Sequence, residues 1–299
     1  MGKGIYLGVF WVWGLVWRRV PFITFCVKPT RKAWINLAGC NFDCRGCFAI
    51  AKEDVGRPFL VAELTDFFVK ACKHVCGGLV TDAVITGGEP TLNPSYLVNL
   101  IKHLRKVGVS RIALSTNGFL LDEDLVNRLR DLNIDLVKLD IKAFSEDVHY
   151  WYTGRDNRNV LKAARLLYDR GVNFYVRTIL MPNIVDVDEV ERIARFLSSI
   201  SPEIPYRIYE FDPLHARQPV TRKPTLEEMV EAFKVAKRYL AHVEAIPAST
   251  VYDSSYEYIE VRDEALMDKF NEIDEISKRA VKGWKMKSIP FNAILSKVG

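Results

Sequence analysis

The sequence lacks any apolar run long enough to cross a membrane. Its most prominent apolar run, residues 5–17, has 13 residues, whereas a membrane-spanning helix needs about 20. We therefore expect a buried strand pair or helix there and no membrane contact. Lys3 is a weak basic start and Arg18-Arg19 stand where a secretory signal has small residues. The chain is accordingly expected to be cytoplasmic.

A strong excess of charge of one sign is also missing. The 42 Lys and Arg residues against 37 Asp and Glu residues give a formal net charge of +5, and the basic residues are spread along the chain. Such a distribution gives no direct sign of nucleic-acid binding. Apolar residues make up 49% and charged residues 26% of the chain, which is typical of a globular protein with a substantial core.

Low-complexity tracts and Gly/Ser linkers are absent, so no change of composition marks a domain boundary. Strand-like and helix-like segments instead alternate. Besides the strand before Cys40, strands are predicted at 83–85, 111–114, 136–142, 173–181 and 206–211. Helices are predicted at 60–76, 96–107, 122–132, 159–170, 187–198 and 226–240. This alternation is typical of βαβ units that build a parallel sheet.

Six such units predict an α/β fold, a partial (β/α)6 TIM-like barrel of parallel strands with helices outside. Residues 33–240 are assigned to the barrel and residues 1–32 to an N-terminal extension. Residues 241–299 form a C-terminal extension that either covers the barrel mouth or packs on the outside. That extension has Tyr252, Tyr256 and Tyr258 near a predicted strand at 258–261, followed by a predicted helix at 264–278.

Polar residues and glycines recur where the predicted strands end. They are the cysteine loop at 40–48, Gly87-Gly88-Glu89-Pro90, Ser115-Thr116-Asn117, Asp140, Lys142, Arg177, Glu210 and His215. Because functional residues of α/β barrels lie on the loops at the carboxyl ends of the strands, these residues are expected to form one site.

Cys40, Cys44 and Cys47 have the spacing CxxxCxxC. Three thiolates so close together can bind a single metal centre. A closed zinc site needs a fourth ligand, and Cys26 is the one candidate, without support from its neighbours. A four-iron four-sulfur cluster held by three thiolates instead leaves one iron open to a small molecule. The loop therefore favours an iron–sulfur cluster over zinc, and both over inert thiols.

Two further patterns are individually weak. Gly87-Gly88 allows close backbone approach to a ligand, with Glu89 as an acceptor, but Gly-Gly and Glu-Pro are also ordinary turn sequences. Asp140 and Lys142 are two residues apart and face the same side of the strand. They form either an ion pair inside the barrel or a recognition site for a ligand with an amine and a carboxylate.

CxxxCxxC after the first strand and Gly-Gly-Glu-Pro after the second together resemble the radical S-adenosylmethionine (radical SAM) superfamily. Residues 115–118 and 140–142 further resemble the glycyl-radical-enzyme activases, such as the pyruvate formate-lyase activating enzyme. Residues 177–182 and 211–215 extend this likeness, which covers residues 33–216. Two departures are Gly46, where many family members have an aromatic residue that packs on adenine, and Ser115, where the activases usually have Asp. Phe48 either takes the aromatic role or belongs to the core.

The resemblance implies that the three cysteines hold a four-iron four-sulfur cluster whose open iron binds the amine and carboxylate of S-adenosylmethionine. Reduction would cleave the sulfonium, and a 5′-deoxyadenosyl radical would abstract hydrogen from the substrate. Gly87 to Glu89 would meet the amine, and Ser115, Thr116 and Asp140 the methionine and ribose end, with Pro90 and Asn117 beside them. Lys142, Arg177 and His215 would face the carboxylate and ribose, although His215 is equally explained as a surface histidine.

No residue is expected to act as a general acid or base. The implied partners are an electron donor protein such as a ferredoxin or flavodoxin and, by likeness to the activases, a protein substrate. One alternative is a small-molecule or tRNA-precursor enzyme of the 7-deazaguanine-synthase type. Another, from a different class, is a non-catalytic zinc-binding scaffold.

Overall fold

A computed structural model describes residues 16–248, 255–280 and 286–296. Residues 5–15 of the apolar N-terminal run, and Tyr252, lie outside the described residues. Among the helices that are described, none has the length and apolar character needed to span a bilayer.

The chain alternates strands and helices much as the sequence predicts. The strands are β1 Trp17–Val20, β2 Phe22–Lys28, β3 Lys32–Leu37, β4 Arg57–Leu60, β5 Asp82–Gly87, β6 Arg111–Thr116, β7 Leu136–Asp140, β8 Phe174–Leu180, β9 Tyr206–Glu210, β10 Val243–Ile246, β11 Glu257–Arg262 and β12 Lys287–Pro290. The helices are α1 Val61–Cys76, α2 Pro94–Lys106, α3 Glu123–Asp131, α4 Glu146–Thr153, α5 Arg158–Asp169, α6 Val187–Ser198, α7 Leu226–Lys237, α8 Met267–Ala280 and α9 Phe291–Leu295.

Ten of these strands form one sheet in the order β10-β9-β8-β7-β6-β5-β3-β2-β11-β12, while β1 and β4 form a separate antiparallel pair. Every pairing from β3 through β10 is parallel. The predicted α/β fold with parallel strands is confirmed, and β10 adds a parallel strand to the six that were predicted. The carboxyl ends of these strands lie along one edge of the sheet, where the predicted site residues cluster.

The two faces of the sheet differ sharply in composition. One face packs under the helices and consists of fully buried apolar side chains, such as those of Ile35, Ile85, Leu114, Leu139 and Val176. Because side chains alternate along a strand, the residues between them point to the opposite side, which we call the inner face. The inner face carries most of the charged side chains of the sheet, with three aromatic ones: Lys32, Asp82, Arg111, Lys138, Asp140, Arg177, Arg207, Glu244, Ser115, Trp34, Tyr175 and Tyr209.

Segments from both ends of the described chain extend the sheet beyond β3. β2 pairs with β3 and β11 pairs with β2, both antiparallel, and β12 lies parallel to β11. The predicted strand at 258–261 is confirmed as β11. The predicted helix at 264–278 begins as a short turn, Glu264–Leu266, and continues as α8. The division into a barrel and two extensions stays a prediction.

Candidate cluster and cofactor site

Cys40, Cys44 and Cys47 lie on one loop directly after β3, and all three are free and partly buried. Burial raises the pKa of Cys40 to about 11 and the pKa of Cys44 to about 12, so without a cation both remain thiols at neutral pH. A bound metal centre reverses this preference, because a coordinating thiol is deprotonated.

Three thiols on one short loop fit the donor set of an iron–sulfur cluster. In the described part of the chain, no three Cys, His, Asp or Glu side chains already converge on one point. Cys26, the candidate fourth ligand, is buried on β2 and contacts the Lys28 carbonyl and the Thr30 hydroxyl. These local contacts give no support for Cys26 as a ligand.

The backbone of the cysteine loop is tied to the end of α4. Asp43 N donates to Thr153 O at 2.7 Å, and Arg45 N donates to Tyr152 O at 3.1 Å. The last carbonyls of a helix have no partner inside the helix, so the loop supplies the donors that α4 needs. This helix, which the sequence did not predict, therefore fixes the position of the cysteine loop.

Gly87 and Gly88 let the loop after β5 approach the start of the cysteine loop. Gly88 N donates to Leu37 O at 2.8 Å, and Glu89 N donates to Gly39 O at 2.7 Å. A Cβ on Gly88 would lie 2.1 Å from Gly39 O, and a Cβ on Gly87, whose φ is +118°, would lie 2.4 Å from Leu37 O. Both glycines are required by contact between two backbones, which couples the two motifs directly.

The Glu89 carboxylate is fully buried and already accepts four hydrogen bonds. Oε1 accepts from Thr91 N at 2.9 Å, Thr91 Oγ1 at 2.6 Å and Thr116 Oγ1 at 2.7 Å. Oε2 accepts from Asn117 N at 2.7 Å. Glu89 therefore links the loops after β5 and β6 through hydrogen bonds, and its side chain holds these two loops in position.

Asn117 connects the third strand-end loop to the cysteines. Its Nδ2 donates to Asn41 Oδ1 at 2.8 Å and lies 3.8 Å from Cys40 Sγ. Within the described residues, Asn41 Nδ2 is buried without a hydrogen-bond partner, and a cleft of about 390 Å³ lined by Cys40 and Asn41 opens beside it. A buried donor without a partner is unusual in a folded protein, and its position beside Cys40 fits a ligand-binding site.

Ser115, Asp140, Lys142 and Arg177 meet across β6, β7 and β8. Asp140 Oδ1 accepts from Arg177 Nε at 2.5 Å, Asp140 Oδ2 accepts from Lys142 Nζ at 3.1 Å, and Arg177 Nη2 donates to Ser115 Oγ at 2.6 Å. Although burial opposes ionisation, Arg177 and Lys142 hold the pKa of Asp140 below its usual range. Two cations share one carboxylate, so this group has the predicted ion pair and also a surplus positive charge.

The remaining predicted residues lie around this core. Phe48, on the cysteine loop, is 64% exposed, which places it outside the apolar core. Pro90 is buried and begins the turn Pro90–Leu92. His215 ends the turn Pro213–His215 beyond β9, and its side chain lies outside what the structure describes. Its predicted contact with the cofactor therefore stays a prediction.

Arg18 is a site residue that the sequence did not reveal. It lies on β1 and is only 8% exposed. Its guanidinium donates to Ala38 O at 2.6 Å, Glu89 O at 3.2 Å and Pro90 O at 3.3 Å. One side chain thus joins the residue before the cysteine loop to the loop after β5. No motif surrounds Arg18, so only the folded chain shows this role.

We expect the Arg18→Met variant to lose about 2 kcal/mol of unfolding free energy, because hydrogen bonds from a charged donor to three carbonyls are removed. We also expect it to bind less iron after anaerobic reconstitution. Arg19→Met is the control, since the Arg19 side chain is 36% exposed and, among the described residues, donates to one carbonyl, Gly56 O, and lies 3.9 Å from an exposed carboxylate, that of Asp54. Chemical denaturation and iron analysis of both variants measure these effects. Equal stability and iron content in the two variants would contradict the role assigned to Arg18.

Comparisons with known proteins agree with this geometry. The family model described as the Radical SAM superfamily matches residues 37–197. A protein of Methanocaldococcus jannaschii, named as a glycyl-radical enzyme activating enzyme, is 34% identical over 213 residues, covering 69% of this chain and 76% of the relative. The pyruvate formate-lyase-activating enzyme of Staphylococcus aureus is 30% identical, covering 57% of this chain and 71% of the relative.

The fold itself also has solved counterparts. The crystal structure of a radical SAM methyltransferase from Sphaerobacter thermophilus matches with a TM-score of 0.55 and 18% identity, covering 75% of this chain and 69% of that one. The similarity in fold therefore covers three quarters of the chain, well beyond the motifs at the strand ends. Members of this family are enzymes that use a four-iron four-sulfur cluster and S-adenosylmethionine, which favours catalysis over a zinc scaffold. With the cysteine loop, the glycine motif and the family match in agreement, this chain belongs to the radical SAM superfamily.

Proposed function

We propose that this chain cleaves S-adenosylmethionine reductively at a four-iron four-sulfur cluster held by Cys40, Cys44 and Cys47. When bound, the reduced cluster supplies the electron that splits the sulfonium into methionine and a 5′-deoxyadenosyl radical, which takes a hydrogen atom from the substrate. The observation that carries this proposal is the backbone contact between the cysteine loop and Gly87-Gly88. It brings the metal-binding loop and the ligand-binding loop to one edge of the sheet.

The residues around the cysteines suit the two ends of the cofactor. Because the Glu89 carboxylate is fully buried and already accepts four hydrogen bonds, the backbone of residues 87–89 is the part of that motif best placed to meet the methionyl amine. The surplus positive charge of Lys142 and Arg177 suits the methionyl carboxylate. Exposed Phe48 is available to pack on the adenine. The other proposed contacts are Pro90, Ser115, Thr116, Asn117, Asp140 and His215.

We expect Asp140→Asn to weaken S-adenosylmethionine binding at least about tenfold. The neutral amide leaves Arg177 and Lys142 without their shared counter-charge and frees them to shift, and charge-assisted contacts are worth about 1.5–3 kcal/mol each. Equilibrium dialysis of cluster-loaded protein against labelled S-adenosylmethionine measures this change. Asp131→Asn is the matched control, because Asp131 is exposed and, within the described part of the chain, forms its one ion pair with the neighbouring Arg130. If the two variants bind the cofactor equally, the assignment of Asp140 is wrong.

The relatives support a protein as the hydrogen donor, because the Methanocaldococcus jannaschii relative is named for activating a glycyl-radical enzyme. An electron donor protein, such as a ferredoxin or flavodoxin, would reduce the cluster. The test mixes reduced, cluster-loaded protein and S-adenosylmethionine with a glycyl-radical enzyme encoded in the same genome. Electron paramagnetic resonance should then detect a glycyl radical on the partner. Formation of 5′-deoxyadenosine without any radical on that partner would contradict this choice of substrate.

A small anionic molecule is the second candidate substrate. One specific observation favours it, namely an excess of positive side chains on the inner face next to the proposed cofactor site. A small-molecule or tRNA-precursor enzyme of the 7-deazaguanine-synthase type would fit this alternative.

A further inference from the structure

The inner face carries cations that the proposed cofactor contacts do not use. They are Lys32 on β3, Arg111 on β6, Lys138 on β7 and Arg207 on β9, of which Arg111 pairs with Asp82 of β5 at 2.7 Å. Lys138 precedes Asp140 by two residues, so it points to the same face about 6–7 Å nearer the amino end of the strand. In register, Lys138 stands between Ser115 on β6 and Tyr175 on β8. It therefore lies directly below the Asp140–Arg177 ion pair.

Lys32 and Arg207 each have a partner on this face. Arg207 Nε lies 3.0 Å from a carboxylate oxygen of Glu244, and its guanidinium lies 4.2 Å from the centre of the Tyr175 ring. Lys32 Nζ lies 5.4 Å from the centre of the Trp34 ring, and its register partner Asp82 on β5 supplies an opposite charge nearby. Both side chains are thus held in place by neighbours on the sheet.

Lys138 is different, because no Asp or Glu in the described residues forms an ion pair with it. The nearest carboxylate on its own strand, that of Asp140, is already shared by Arg177 and Lys142. Burial, and then the charges of Lys32, Arg177 and Arg207, lower the pKa of Lys138 to about 7, with Asp140 acting weakly in the other direction. A partly buried amine without a counter-charge is costly to a fold. An anionic ligand would supply the opposite charge and offset this cost.

We propose that the inner face binds a carboxylate or phosphate group of a small-molecule substrate, with Lys138 as the direct contact and Lys32 and Arg207 as flanking charges. The proposal rests on the radical SAM function and develops its second candidate substrate, a small anion, in place of a protein. Arg177 on β8 donates across β7 to Ser115 on β6. Its side chain therefore lies between Lys138 and the carboxyl ends of the strands.

Isothermal titration of cluster-loaded protein with inorganic phosphate, and separately with succinate, tests this site. Wild-type protein should bind at least one of the two anions saturably, and Lys138→Met should weaken that binding at least tenfold. Lys138→Arg, which keeps the charge, should retain binding within a few-fold. Lys234→Met on α7 is the control for an exposed lysine and should bind like the wild type.

A stability measurement separates ligand binding from a structural role. Since the folded-state pKa of Lys138 lies below the unfolded value of about 10.4, charging this lysine opposes folding below pH 7. That cost disappears as the pH rises from 7 toward 10.4. Lys138→Met should therefore unfold at higher denaturant concentration than the wild type at pH 6, with a smaller difference at pH 9. A purely structural lysine would make the variant less stable at both pH values.

The outcomes of these experiments test the anion site separately from the radical SAM function on which the proposal rests. Saturable anion binding that depends on Lys138 supports the proposal. It is overturned if wild-type protein binds neither anion, or if Lys138→Met binds as tightly as wild type. A short Asp-containing peptide that binds in a Lys138-dependent way, while both small anions fail, would overturn the small-molecule assignment. None of these titrations requires cofactor cleavage, so a failure of the radical chemistry would be seen separately.

Discussion

Replacing Cys44 with serine is expected to abolish cofactor cleavage, with a fall of at least about a thousandfold in 5′-deoxyadenosine formed per chain. Iron–sulfur clusters depend on thiolate ligands, and a serine hydroxyl is a harder, weaker donor for iron in such a centre. The two remaining cysteines of the loop leave the cluster short of protein ligands. Iron analysis, absorbance near ~400 nm and chromatographic measurement of 5′-deoxyadenosine on reconstituted protein check this expectation.

Cys76→Ser is the matched control for the Cys44 substitution. Cys76 is also a free, partly buried cysteine, but it lies at the end of α1, outside the cysteine loop. This variant should keep the iron content and activity of the wild type. The assignment of the cysteine loop fails if Cys44→Ser retains a full complement of iron and its activity.

Gly88→Ala is expected to have the second largest effect. A Cβ at this position would meet Gly39 O at 2.1 Å and Ala51 O at 2.5 Å. Both are backbone atoms, so neither can move aside as a flexible side chain would. Overpacking of this kind costs about 3 kcal/mol or more, and relief of the clash must displace the start of the cysteine loop. We therefore expect lower stability in chemical denaturation together with a loss of iron on reconstitution.

Gly77→Ala separates the clash from the general effect of replacing a glycine. Gly77 ends α1 with φ at +69°, and a Cβ there would meet nothing within 4 Å. Its replacement should cost only about 1 kcal/mol, from the left-handed backbone, and should leave iron binding unchanged. If Gly88→Ala costs no more than Gly77→Ala and also keeps its iron, the coupling of the two motifs is contradicted.

Helices, strands and motifs whose residues lie close together in the chain were predictable from the sequence. The periodic apolar residues of 187–198 predicted α6 with its observed bounds, and the strand before each glycine or polar cluster was found within a few residues. The cysteine spacing and Gly87-Gly88-Glu89-Pro90 could be recognised because a short loop carries each motif. Their meeting at one edge followed from the rule for parallel strands.

Helix α4 and strand β2 escaped prediction for a different reason. α4 has only eight residues and includes His149, Tyr150, Trp151 and Tyr152, which have modest helix propensity. β2 has the sequence FITFCVK, in which apolar residues do not alternate strictly with polar ones, so no strand pattern marks it. Both elements are stabilised by tertiary contacts, with α4 against the cysteine loop and β2 between β3 and β11.

Long-range contacts explain what the sequence could not show of the site. Arg18 reaches carbonyls that are 20 to 72 positions away in the chain. The charges that surround Lys138 come from β3, β8 and β9. Two of the four hydrogen bonds to the Glu89 carboxylate come from Thr116 and Asn117, which lie at the end of the next strand. Each of these features involves residues from different strands, so it can be inferred only from the folded sheet.

The most direct test of the proposed function is whether this chain cleaves S-adenosylmethionine. Protein reconstituted anaerobically with iron and sulfide, then reduced with dithionite, is incubated with the cofactor, and the products are separated by chromatography. We expect 5′-deoxyadenosine and methionine in equal amounts from the wild type, and neither above background from Cys44→Ser. Intact S-adenosylmethionine in the presence of a fully loaded, reduced cluster would contradict the proposed function.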